Sequence, residues 1–221
     1  MLYDSAEQAA RANMVRAQEK VRLGLRARQA VVEGLTAEAV AAFYPAISPG
    51  VERWPVKTGT DGDVATVVTT PLQTTVADLV VIVRPDDMPL LSLNPIYQSA
   101  RSTIAERQMY VVDCEITGYR LEGDGDYHVV IRDDMNNMMI VEIPDGTDDA
   151  YVDPSSPFKA GIVAARQAFD GTFTVDRAMK ATAQKARITG VGFFDKAHGQ
   201  IGLAPNGIEL HPVVDIQFVA N

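Results

Sequence analysis

Apolar and polar residues alternate most clearly in the second half of the chain, from Arg107 onward. Alternation places successive side chains on opposite faces, the mark of a half-buried strand. The pattern predicts strands over Met109–Leu121, Tyr127–Asp133 and Met138–Ile143. In the second of these, Tyr127, Val129 and Ile131 share one face, and His128, Val130 and Arg132 the other. Turn residues separate the three, at Glu122–Gly125 and at Asp133–Asn137. Gly118 marks a bulge or sharp coil within the long first strand. After Pro144 and a loop rich in Asp, Pro and Ser, the period changes. Pro157 stands at a helix start, and Ile162, Val163, Ala165, Ala168 and Phe169 recur at helical spacing. Strands are predicted again over Ala186–Phe194 and Ile208–Val219, joined by a loop from His198 to Gly207.

Three strands, a helix and two strands is the order of a five-stranded OB-like Greek-key barrel, β-β-β-α-β-β. The expected fold class is therefore mainly β with α, with a helical N-terminal arm ahead of the barrel. The rival architecture is a generic α+β sandwich. The arm is read from Ser5 to about Leu35, where Ala, Arg, Gln, Glu and Leu dominate and proline is absent. Met14, Val21, Leu25, Val32 and Leu35 form one narrow apolar stripe, which needs a partner to pack on. Pro45 and Ser48-Pro49-Gly50 end the arm, so three regions are expected: 1–50, 51–106 and 107–221. The middle region reads as an extended, irregular connection. It holds an extended Trp54–Gly59, a turn at Asp61-Gly62-Asp63, a strand candidate over Val64–Thr70 and a short helix Thr75–Val81 capped by Thr74.

Composition narrows the classes. Of 221 residues, 47% are hydrophobic, enough for a packed core. The net charge of −9 disfavours broad nucleic-acid binding through the body, because phosphate contacts need clustered bases. Within the arm the balance reverses: Arg11, Arg16, Lys20, Arg22, Arg26 and Arg28 face only Glu19 between residues 11 and 28. A solvated helix face is the plain reading. An arm that docks on an acidic neighbour, above all another copy of the body, is the sharper one, and nucleic acid through the arm the third. Cys114, the one cysteine, permits neither an intrachain disulfide nor a thiolate-rich zinc site. The first residues lack a signal peptide's basic start and apolar run, so the cytoplasm or an assembled particle is expected. No run reaches the length of a transmembrane helix.

The candidate chemistry lies in His128, His198 and His211, with Asp124, Asp126, Asp195 and Glu209 close to them in sequence. Imidazoles with carboxylates can hold a divalent metal, for which His128, His198 and His211 are the candidates. His128, Glu209 and His211 can equally form a general acid/base set. The structural alternative is preferred: these polar groups satisfy loop backbone, with His128 anchoring its strand and His198 and Asn206 pinning the long loop. On that reading no catalytic residue and no cofactor are assigned. Nucleophile elbows, phosphate loops and dinucleotide fingerprints do not occur.

Several motifs carry a resemblance. They are Trp54-Pro55-Val56-Lys57-Thr58, Asp124-Gly125-Asp126-Tyr127-His128, Ile143-Pro144-Asp145, Ser156-Pro157-Phe158, Gly190-Val191-Gly192-Phe193-Phe194-Asp195 and the final His198-Gly199-Gln200…Pro205-Asn206-Gly207-Ile208-Glu209-Leu210-His211-Pro212-Val213. Over roughly residues 53–219 the chain resembles a family of uncharacterised bacterial proteins, many of them exported. The resemblance implies an OB-like barrel and export for relatives, but no activity. The function expected is a non-enzymatic structural or interaction module that self-assembles or docks through its basic arm, as in a phage or bacterial surface assembly. The alternatives are a divalent-metal-dependent hydrolase or nuclease, and a nucleic-acid binder.

Overall fold

The computed structural model describes residues 52–86, 88, 97–197 and 199–219. The predicted arm, with Arg11, Arg16, Lys20, Arg22, Arg26 and Arg28, lies outside them, as do Pro89, Pro95 and His198. From Arg53 onward the chain is one compact unit.

The elements follow in this order: α1 Trp54–Thr58, β1 Val68–Thr74, α2 Val76–Leu79, β2 Gln108–Leu121, β3 Tyr127–Arg132, β4 Met138–Ile143, α3 Lys159–Thr172, β5 Lys180–Phe194 and β6 Ile208–Phe218. Short 3-10 turns at Val64–Thr66 and Ala105–Arg107 lead into β1 and β2. The fold is mainly β, with six strands in one sheet ordered β1-β2-β3-β4-β6-β5, and β5 pairs back onto β2. The pairings thus close a ring, but an uneven one. The β2–β5 ladder runs from Met109 to Tyr119, whereas parallel β4 and β6 share only Ile140–Glu209 and Val141–Leu210.

β2 is the longest shared element. One edge carries β5; the other carries β1 beside its first half and β3 beside its second. It can serve both because its register slips between Ile116 and Gly118 against β3 and β5 alike. That is the bulge that Gly118 predicts. Inside the ring Val112, Ile116, Val129, Ile131, Val141, Ile188, Phe194 and Leu210 are buried in one core cluster. α3 closes one side: Ala165 and Phe169 enter the core, and Phe169 packs with Tyr119, Tyr127, Phe173 and Phe218 at ring separations of 5.5, 5.7, 4.8 and 6.3 Å. Arg166, on the same helix, donates to the Gly125 and Ile143 carbonyls and lies 3.7 Å from the centre of the Tyr127 ring.

Several expectations shift. Trp54–Thr58 is a short helix, not an extended segment. Pro55 fits its first turn, and Gly59 closes it with φ 73. Val64–Thr70 divides: residues 64–66 coil, and the strand runs from Val68 to Thr74. Pro71 is tolerated because β1 is an edge strand. The cap of α2 is Thr75 rather than Thr74: its hydroxyl accepts from the Asp78 N–H and donates to the Asp78 carboxylate. β5 begins at Lys180, six residues ahead of Ala186, and those extra residues pair with the second half of β2.

A buried histidine and carboxylate cluster

The alternation in β3 predicts one core face and one outer face, yet His128 and Val130 are as buried as Val129 and Ile131. The cause is the loop between β5 and β6, which lies over the outer face. Gly202, at φ 89, comes so close that a Cβ there would sit 2.5 Å from Val130 Cγ1. Beneath this cover six elements deliver polar side chains. Asp124 and Asp126 come from the β2–β3 turn, His128 from β3 and Glu142 from β4. Glu209 and His211 come from β6, Asp195 from the end of β5, and Lys57 from α1. All eight are buried.

The contacts form a chain. Asp126 Oδ2 lies 3.3 Å from His211 Nε2, and His211 Nδ1 lies 3.1 Å from Glu142 Oε2. Glu142 Oε1 lies 3.2 Å from His128 Nδ1, and His128 Nε2 donates to the Ile201 carbonyl at 2.9 Å. That carbonyl accepts only, so Nε2 carries a proton. Nδ1 then faces a carboxylate and gains from a second. Burial opposes charge on His128, but Glu142, the Ile201 carbonyl and Glu122 outweigh it and hold its pKa above the usual range. His211 is likewise raised: burial opposes the charge, Asp126 and Glu142 favour it, and Lys57 works against it. For Glu142 burial again resists ionisation, but the two imidazoles and Lys57 hold its carboxyl well below the usual range.

The other carboxyls go the opposite way. Burial, then Asp195 and Glu142, push the Glu209 carboxyl well above the ordinary range. Burial, then Asp126, push Asp124 up to about 6. Burial opposes the charge on Lys57, but Glu142, Asp195, Asp126 and Asp124 raise its pKa above the lysine range. One detail stands apart. The contacts of His211 have hydrogen-bond lengths but not hydrogen-bond directions. Neither of its ring nitrogens, neither Asp126 oxygen and not Glu209 Oε1 makes a directional bond.

His128 and His211 thus converge on the two oxygens of one carboxylate, Glu142. Glu209 is buried close by on β6, and His198 lies outside the described residues. Glu142 and Lys57 are the members that sequence reasoning missed. Glu142 stood in an apolar strand, Met138–Ile143, and its charge there was the available signal. Lys57 stood in a motif without partners in view.

Two further ion pairs are buried. Arg53 meets both oxygens of Glu106, at 2.5 and 2.9 Å, and also donates to the Tyr97, Phe194 and Ala100 carbonyls. Burial opposes ionisation of Glu106, but Arg53 and the Ser102 and Phe194 amides bring it down to about 2. Arg101 pairs with Asp61 at 2.8 Å, so the Asp61-Gly62-Asp63 turn carries a buried partner as well. Burial, then Asp113, push the Cys114 thiol up to about 12, which leaves it no nucleophile. A cavity of about 490 Å³ lined by Asp113, Cys114, Glu115, Asp133 and Lys185 shares no residue with the cluster. Among the described residues no helix is long and apolar enough to cross a membrane.

No protein family matches the chain, and no curated protein does. Among solved structures, a putative aspartyl-tRNA synthetase from Leishmania major Friedlin is similar at 12% identity and a TM-score of 0.33, over 71% of this chain and 22% of that one. The chain spans about a fifth of that protein's length (22%), and so low a score carries no argument.

Proposed function

We propose that residues 53–219 are an OB-like Greek-key barrel serving as a non-enzymatic structural and interaction module, which assembles through the basic arm ahead of it. The order of pairing around the ring, with a helix between its third and fourth strands, supports the barrel. The module reading rests on one observation: four polar side chains of the motifs are spent on this chain's own backbone. His128 holds the Ile201 carbonyl. Asn206 donates to the Leu79 and Ile82 carbonyls, at 2.9 Å each. The Trp54 indole donates to the Tyr151 carbonyl, and the Ser156 hydroxyl to that of Thr58. Groups so engaged fix loops and are not presented to a substrate. Burial of Asp126, His128 and His211 has the same consequence.

The arm would supply the assembly contact, since Arg11, Arg16, Lys20, Arg22, Arg26 and Arg28 precede an acidic body. Light scattering on the full chain and on residues 51–221 tests this. The full chain is expected to associate and the shorter one to run as a smaller folded species. The same oligomeric state in both would refute the role of the arm. Nucleic-acid binding that weakens steeply with salt and vanishes on truncation would replace it.

A further inference from the structure

We propose that Asp126, Glu142 and His211 bind one divalent transition-metal ion, zinc by the character of their donors, on the outer face of the strand ring beneath the loop between β5 and β6. The inference goes beyond the module reading and stands apart from it: a metal-free protein would remove the site and leave the module untouched.

Two independent observations carry the site. The first is convergence. Each of the three residues offers one ligand atom, from β6, from β4 and from the β2–β3 turn, and these atoms lie within 4.8 Å of one another. Ligand atoms bound to a tetrahedral ion at roughly 2.0–2.2 Å sit about 3.3–3.6 Å apart. The Asp126 contact, 3.3 Å, reaches His211 Nε2 and the Glu142 contact, 3.1 Å, reaches Nδ1, so an ion on either ring nitrogen has one carboxylate already near that spacing and draws in the other. The second is unfulfilled bonding. Asp126 is fully buried, yet neither of its oxygens accepts a hydrogen bond, and neither His211 nitrogen makes a directional one. Buried polar groups are seldom left so. A metal ion satisfies an Asp126 oxygen and one His211 nitrogen, because it needs lone pairs at the right distance and no N–H aimed along a line; the other ring nitrogen keeps its proton.

The chemistry of the donors selects the ion. One imidazole nitrogen with two carboxylate oxygens suits zinc. Calcium and magnesium prefer all-oxygen shells. Charge agrees with a single cation. Asp124, Asp126, Glu142 and Asp195 bring four carboxyls, faced by the cation Lys57 and, at Asp195, by Arg84. Lys57 also opposes a second ion. Glu142 and Asp124 each keep 9% of their surface exposed, which gives an ion its way in. His128, bonded to the other oxygen of Glu142, orients that carboxylate as an outer partner of the site.

The test uses the full chain, freed of metal by a chelator and titrated with Zn2+ alone. One ion per chain and a higher melting temperature are expected. Asp126→Asn and Glu142→Gln, checked for folding by circular dichroism, should each weaken Zn2+ binding more than about 100-fold, beyond what outer-partner changes cost. No stoichiometric Zn2+, or undiminished binding by folded Asp126→Asn and Glu142→Gln, would overturn the site. Zinc-edge X-ray absorption on the unaltered protein needs no variant at all. A shell of one imidazole and oxygens supports the proposal; two imidazoles, or none, would end it.

Discussion

Arg53 and Glu106 pair where water does not reach, each with a second set of partners on backbone. Desolvating two charges costs several kcal/mol per ion, and only dense hydrogen bonding offsets it. Removing one partner strands the other, so Glu106→Gln should cost roughly 3–5 kcal/mol of stability, read from a urea midpoint. The pH dependence follows from the lowered pKa of Glu106. A carboxyl ionised more readily when folded stabilises the protein above its unfolded value, near 4.5, and loses that contribution as pH falls toward about 2. Melting temperature should therefore decline through this acid window, and more shallowly in Glu106→Gln. Equal slopes would show that another group governs acid sensitivity. None of this was visible in the residues alone. Asp61 looked like a turn former, and nothing in the spacing of Arg53, Arg101 and Glu106 shows that they meet. Contacts between residues about 40–50 positions apart depend on the route of the chain, which local pattern does not encode.

At the level of elements, the strands were legible where two conditions held together: alternation within the run and turn residues at its ends. Met138–Ile143 coincides with its prediction, and β2 and β6 differ from theirs by one residue at one end. The first six residues of β5, Lys-Ala-Thr-Ala-Gln-Lys, hold Thr182 alone among the branched and aromatic side chains that signal a strand, and pairing with β2 decides them instead. The five residues of α1 are too few to show a period. His128 was placed on its correct face, but the burial of that face comes from the loop between β5 and β6. Convergence of His128 and His211 was left open by the sequence; the common carboxylate between them is Glu142. The loop's closeness is testable. Gly202→Ala places a Cβ against Val130 at a positive φ, which should cost roughly 1–3 kcal/mol. Hydrogen exchange should quicken at the amides of residues 199–207 while those of β2 and β5 keep their protection. Unchanged loop protection would mean that the contact is not what holds it down.

For the molecule as a whole, residues ahead of Arg107 contribute a strand, two short helices and the buried Arg53 and Arg101, all within the compact unit that begins at Arg53. One cooperative transition is the expected result. Trp54, the single tryptophan, reports on the earliest of these elements, and far-ultraviolet circular dichroism reports on the strands. In a fragment of residues 51–221 the two signals should share one midpoint in urea. An earlier loss of the Trp54 signal would mark the segment before β2 as a separately melting layer.

The double-edged pairing of Gln108–Leu121 has a further consequence. A residue added to or removed from this strand would slide three ladders out of step at once, whereas the same change between Asp145 and Pro157 displaces none. Length variation tolerated by this architecture, in nature or by engineering, should accordingly gather in the connections and spare the strand that three neighbours use as their common ruler.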